Sequence, residues 1–238
     1  MALTDRKVLT FDVVGTLIDF ETGILDYMQE RARAAGVTLS DRAILEAYAV
    51  AEDHQHHATP RLPFPAMMAP MYREMAEVLG LPESHADAEE FRLSIPHWPA
   101  FPDSVAAMKR LRRHFHLVAM TNSDDWALSH FARVLDHPFD DLVTAEMVGW
   151  NKPDPQVFAF TRGRLSKEGF GFGDILHVAQ SQYHDIAVAR RLGYHTCWIE
   201  RRKGQQGTGA TPKTQTVAIP DYHFSSLQEL ADAVDQGK

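Results

Sequence analysis

The sequence predicts an α/β protein: a Rossmann-like, doubly wound, mainly parallel sheet with an inserted helical cap subdomain. Three observations lead there. An apolar run from Val8 to Val14 carries one carboxylate, Asp12, and turns at Gly15-Thr16. The next stretch, Glu21 to Leu93, has helical periodicity almost throughout. Beyond Pro102, short apolar runs alternate with amphipathic ones, the pattern of successive βαβ units.

Val8 to Val14 reads as a buried strand because it is rich in Val, Leu and Phe. Ligands of such sheets gather at the carboxyl ends of the strands, which places Asp12 where a substrate would lie. The helical block reads as ILDYMQERARAAG, DRAILEAYAVAEDHQHHA, PAMMAPMYREMAEVLG and HADAEEFRLSI, with Gly36 and Gly80 at helix stops. At roughly 75 residues it has the size of a small subdomain. The expected division is a core of residues 1–18 and 98–238 and a cap of residues 19–97.

The core then continues as the helix VAAMKRLRRHF, the strand HLVAMTNS, the helix DDWALSHFARVL, the short strand LVTAE and the helix DPQVFAFTRGRL. The strand DILHVAQ, the helix DIAVARRLG and the strand HTCWIE follow. Lys203 to Thr216 has little to bury and reads as a surface loop, with a flap over a site as the alternative. SSLQELADAV closes the domain as a serine-capped helix.

Composition narrows the function. Of 238 residues 45% are hydrophobic, enough for a substantial core. The net charge of -8, without a basic track, argues against a nucleic-acid partner. No stretch approaches about 18 uncharged apolar residues and no cationic leader precedes a cleavage pattern, so no membrane partner is expected and cytoplasmic residence is. The single Cys197 lies in an apolar strand and reads as a core thiol.

Four strand ends carry chemistry-bearing residues. Asp12 can act as a nucleophile if burial holds it against a substrate and donors keep it ionised, and Thr16 is such a donor. The second strand ends in Thr121, Asn122 and Ser123, which offer hydroxyl and amide donors, with helix capping the alternative, particularly for Ser123. Lys152, in WNKPDP, can neutralise nearby carboxylates. Gln180, Ser181, Gln182 and Asp185 follow a later strand; Asp185 can orient Lys152 or help activate water, or simply cap its helix. His54, His56 and His57 do not make a metal site on their spacing alone, and His184 reads as solvent-facing or capping. Met67, Met68, Met71 and Met75 form an apolar stripe suited to packing or to an adaptable substrate wall.

Together DVVGTL (Asp12 to Leu17), TNS (Thr121 to Ser123), NKPDP (Asn151 to Pro155) and the Asp185 region resemble the haloacid dehalogenase superfamily, over essentially the whole chain. Phosphatases of that superfamily place a second aspartate two residues after the nucleophile. Here that residue is Val14, which has neither proton nor oxygen to offer. The pattern is more similar to the L-2-haloacid dehalogenase branch, whose members need no metal or other cofactor and commonly form homodimers. The resemblance implies that Asp12 displaces the C2 substituent of a short carboxylic acid with inversion, forming an ester that water then cleaves. Thr16, Asn122 and Ser123 would be donors, with Lys152 and Asp185 arranging the second step. Val14, Tyr48, Asn122, Phe158, Gln180 and Gln182 would contact the substrate.

There are departures from that branch. No arginine occurs from Ala43 to Thr59 to grip a substrate carboxylate, which leaves Arg61. Phe158 stands where a tyrosine would fit better, and Gln180 and Gln182 replace smaller residues. Tyr48, Glu52 and Asp53 would suit a cationic ring nitrogen, so opening of azetidine-2-carboxylate is the main alternative. A non-catalytic binding protein is the alternative from another class.

Overall fold

The computed structural model describes residues 3–214 and 217–237. Among them six strands form one parallel sheet in the order β3-β2-β1-β4-β5-β6. These are β1 (Val8–Phe11), β2 (His116–Thr121), β3 (Asp141–Thr144), β4 (Ile175–Ala179), β5 (His195–Ile199) and β6 (Tyr222–Phe224). Every residue of β1 and β4 is buried, as expected where helices cover both faces of a parallel sheet. Phe11 pairs with Ala119 on one side and Val178 on the other, so β2 runs two residues and β4 one residue past the end of β1. Strand order reverses between β1 and β4, which opens a crevice beyond their carboxyl ends.

β1 stops at Phe11, short of Val14. Val13 O accepts from Leu17 N at 2.9 Å and from Ile18 N at 3.0 Å, closing a turn in place of further ladder pairing. Gly15 has φ +89°, a left-handed conformation that favours glycine. A Cβ there would also meet Gln180 Oε1 and the Phe20 ring at 3.2 Å. β6 lies outside the expected elements because three half-exposed residues give too short a pattern to read; it adds an edge through Cys197 and Tyr222.

The inserted helical cap contains α1 (Phe20–Ala34), α2 (Asp41–Ala58), α3 (Phe64–Leu79) and α4 (His85–Leu93). Asp19, Ser40 and Ser84 accept backbone N–H groups in the first turns of α1, α2 and α4, each such cap contributing about 1 kcal/mol. Met67, Met68, Met71 and Met75 are buried in the apolar cluster that runs from the cap into the core, so the stripe is packing. Gly23 permits close approach: a Cβ there would stand 2.1 Å from the Trp98 ring. Phe64 N donates to Asn122 O at 3.0 Å, and Asn151 Nδ2 donates to Pro60 O and Leu62 O, tying the entrance of α3 to the core.

The core helices are α5 (Ser104–Leu111), α6 (Asp125–Val134), α7 (Ala145–Val148), α8 (Pro155–Lys167), α9 (Ala187–Arg191) and α10 (Leu227–Asp235). A π-helical turn, Gln182–Ile186, precedes α9 and is capped by Ser181 rather than by Asp185. Part of the Lys203 to Thr216 segment is docked, contrary to a plain surface loop: Gly209 to Pro212 are buried, and Ala210 N donates to Glu21 Oε1 at 2.9 Å. Its last two residues, 215 and 216, lie outside the described residues. Cys197 is buried, and burial pushes its thiol well up, as suits a core thiol. Among the described residues no helix is long and apolar enough to cross a membrane.

Candidate active site

Asp12 follows β1, and its N–H continues the ladder to Val178 O at 3.0 Å, which holds the residue at the crevice. Its side chain is held from two sides. Thr16 Oγ1 donates to Asp12 Oδ2 at 2.6 Å, and Lys152 Nζ donates to Oδ1 at 2.9 Å. Thr16 Oγ1 also receives Gln180 N–H at 2.8 Å, so its own proton points to the carboxylate.

Lys152 is fully buried, 1% exposed, and its three donors have three acceptors: Asp12 Oδ1, Met120 O at 2.9 Å and Asp185 Oδ1 at 2.7 Å. Asn122 positions it by clamping its backbone, accepting from Lys152 N at 2.7 Å and donating to Lys152 O at 3.0 Å. Asn122 lines the cavity, but both its amide atoms are engaged in this clamp rather than free for a substrate. Ser123 is not the cap of α6, because Asp124 accepts from Ala127 N. Thr121 Oγ1 donates to Ser123 Oγ at 3.1 Å, and the Ser123 hydroxyl keeps its own proton for a ligand.

Asp185 receives a second bond that sequence reading missed. His177 Nε2 lies 2.9 Å from Asp185 Oδ1, and His177 Nδ1 lies 3.0 Å from Thr10 Oγ1. The ring thus bridges Asp185 and Thr10, one nitrogen to each. Asp185 Oδ2 is buried with no hydrogen-bond partner among the described residues.

The two carboxylates differ in basicity. Burial raises Asp12 most strongly and Asp185 adds to this, while Lys152 and Thr16 pull it back; the balance stays above its ordinary value. Burial acts on Asp185 too, but Lys152 and His177 outweigh it and hold it at about 2. Burial also pulls Lys152 down, and the two carboxylates more than restore it. A proton added to this set therefore goes first to Asp12.

These groups surround a small cavity of about 40 Å³. Core residues Asp12, Val14, Asn122, Ser123, Lys152, Gln180 and Asp185 line it, and Phe20, Glu52 and Phe64 close it from the cap side. Thr211, from the docked loop, also reaches it, which favours the flap alternative for that loop. No arginine is among the lining residues. Arg61 is exposed, donates to Gly149 O at 3.1 Å and stacks over Trp150, so it does not grip a substrate here.

Three expected substrate contacts fall elsewhere. Tyr48 is fully buried in the cap, edge-on to Phe20 with ring centres 6.0 Å apart, and does not line the cavity. Phe158 packs behind the site, edge-on to His177 and Tyr194. Gln182 exchanges hydrogen bonds with the Ala218 backbone and so anchors the loop that precedes β6. His184, expected in solvent or as a cap, is buried, lines the cavity and faces His56. Burial, and then His56, push it well below the usual imidazole range.

A magnesium site of the phosphatase kind does not fit these residues. The position two after Asp12 is Val14, and both inner carboxylates are already engaged by Lys152.

A doubly wound core with a helical cap and a lysine-bridged pair of aspartates at the switch point defines a class, and sequence comparison names it. The model of the haloacid dehalogenase-like hydrolases matches residues 6–193. The chain belongs to that family and is a hydrolase. A mouse relative, haloacid dehalogenase-like hydrolase domain-containing protein 3, is 25% identical over 96% of this chain and 94% of its own length. (S)-2-haloacid dehalogenase 4A of Burkholderia cepacia is 21% identical over 97% of this chain and 92% of its own. The crystal structure of a defluorinating L-2-haloacid dehalogenase superposes with a TM-score of 0.80 at 17% identity, covering 98% of each chain, a likeness of fold.

Proposed function

We propose that this hydrolase displaces the C2 substituent of a short 2-substituted carboxylic acid, most simply a 2-haloacid, through an ester on Asp12. The observation that carries this reading is Val14 in the cavity wall beside a nucleophile held by Lys152 and Thr16. With no acid at that position, the departing group must leave without being protonated there, as a halide does. An Asp12 oxygen attacks C2, the C2–halogen bond breaks, and the halide takes the bonding pair. Water then attacks the Asp12 carboxyl carbon and passes one proton to the free Oδ2 of Asp185. The bond between that carbon and the substrate oxygen breaks, and the proton moves from Asp185 to the departing oxygen, which leaves on C2 of the 2-hydroxy acid. Asp12 returns to its carboxylate by losing the remaining water proton to solvent. The Burkholderia relative bears the name of this activity. We assign residues 1–18 and 98–238 to the core that holds the reacting groups and 19–97 to the cap. Chloride release from 2-chloropropionate with and without added magnesium tests the reading: release independent of the metal supports it, and release of phosphate from monoesters alone would refute it.

One observation favours a second substrate. The cavity is lined by three carboxylates, Asp12, Glu52 and Asp185, against Lys152, with no arginine for an incoming carboxylate. That balance suits a substrate carrying an ammonium group, such as L-azetidine-2-carboxylate. There Asp12 would attack ring carbon C4, the C4–nitrogen bond would break to leave a neutral amine, and ester hydrolysis would give 2-amino-4-hydroxybutyrate. Comparing the formation of that product with halide release decides between them.

A further inference from the structure

We propose that Glu52, His56 and His184 form a binding site for one divalent transition-metal ion of the zinc class, which ties the cap to the core. Glu52 and His56 are four apart on α2 and share a face. His184 reaches them from the π-helical turn of the core. His56 Nε2 lies 3.2 Å from His184 Nε2 and 3.8 Å from Glu52 Oε1, and one ligand atom from each residue lies within 4.8 Å of the other two. Two imidazole nitrogens each ~2.0–2.1 Å from a tetrahedral zinc ion stand roughly 3.3 Å apart, the spacing seen here.

A plain hydrogen bond between two rings would give a similar distance, but two features point to a metal. Glu52 brings a carboxylate, its side chain 13% exposed, to 3.8 Å from His56 Nε2 and within ligand reach of both rings. The far nitrogen of His184, Nδ1, is 3.2 Å from Ser181 Oγ, which also accepts the His184 backbone N–H at 2.9 Å. A ring donating from Nδ1 to Ser181 presents the lone pair of Nε2 to His56 and Glu52, the outer support typical of a ligating histidine. Two imidazoles and one carboxylate suit zinc, cobalt or nickel rather than magnesium or calcium. Glu52 and His184 line the cavity beside Asp12, so an ion held by them adds positive charge to its wall and opposes cap opening.

The test is titration of the chelator-stripped full chain with Co²⁺, read by visible absorption, and with Zn²⁺, read by calorimetry and thermal melting. The proposal expects one saturable equivalent with the visible bands of a low-coordinate nitrogen–oxygen site and a raised melting temperature. His56→Ala and Glu52→Gln should each weaken binding more than about tenfold. His54→Ala and His57→Ala, which alter exposed neighbours, should leave it unchanged. Glu52→Gln is nearly isosteric, so its fold can be verified by melting without metal. Absence of a saturable equivalent in the wild type, undiminished binding in Glu52→Gln, or equal loss in His54→Ala would overturn the site. The readouts need no substrate and stand apart from the proposed reaction.

Discussion

Lys152 Nζ stands between Asp12 and Asp185, 2.9 Å from an oxygen of one and 2.7 Å from an oxygen of the other. A single buried ammonium thereby serves two carboxylates of different basicity. Removing it should do two things at once. Lys152→Met leaves two buried carboxylates facing each other, and breaking a buried pair in this way costs about 3–5 kcal/mol. Urea unfolding should register that loss, while turnover falls by more than about a hundredfold because Asp12 loses the charge that keeps it ionised.

His177 acts through Asp185, so its replacement should separate the two chemical steps. In His177→Phe, ester formation continues while ester hydrolysis slows, by about tenfold or more for a disturbed general base. Mass spectrometry of the enzyme quenched during turnover should then find the Asp12-containing peptide carrying the added mass of the substrate's carboxyalkyl group, the haloacid less its halogen. A variant that slows both steps equally would assign His177 to packing alone.

The acid limb of the pH–rate profile should lie above the ordinary aspartate value of 3.8, because Asp12 is raised and its protonated form is no nucleophile. In stability the two carboxylates have opposite signs. Asp185, depressed to about 2, contributes stability that is complete above its unfolded value near 3.9 and is lost as pH falls toward 2. Asp12, raised, costs stability above its folded value and regains it as pH falls through that value. Unfolding free energies of wild type and Asp185→Asn compared from pH 5 downward should therefore converge.

Glu52 distinguishes the two substrates. In the chelator-stripped enzyme its carboxylate repels an anionic haloacid and attracts an ammonium group, each by about 1 kcal/mol at this partial burial. Glu52→Gln should therefore lower KM for 2-chloropropionate and raise it for L-azetidine-2-carboxylate, each by roughly fivefold. Steady-state kinetics on both compounds checks the sign.

The parts of the site that could be read from sequence are polar residues that follow an apolar strand: Asp12 and Ser123 come within two residues of the ends of β1 and β2, while Thr16, Lys152 and Asp185 stand in the turns and loops beyond β1, β3 and β4. The alternation of strands and helices brings these loops to the carboxyl edge of the sheet. His177 escaped because it sits inside the fully buried strand ILHVA, where one polar residue reads as noise. Its signal is a register partnership: Thr10 pairs with His177 across β1 and β4, two residues before Asp12 and so on the same face. Tyr48 and Phe158 were misplaced for the opposite reason. Periodicity says that a side chain is buried, not which of two neighbouring interiors receives it, and both joined packed aromatic clusters. The approach of His56 to His184 spans 128 positions and depends on how the cap sits on the core, which no local pattern encodes.

Repeated turnover in water enriched with heavy oxygen, followed by mass spectrometry of the Asp12 peptide, addresses the ester most directly. With an Asp12 ester the label enters the Asp12 carboxylate and passes to product in the next cycle, so a single turnover with excess enzyme yields unlabelled product. Labelled product from that single turnover, with Asp12 remaining light, would mean that water attacks the substrate itself and would contradict the account.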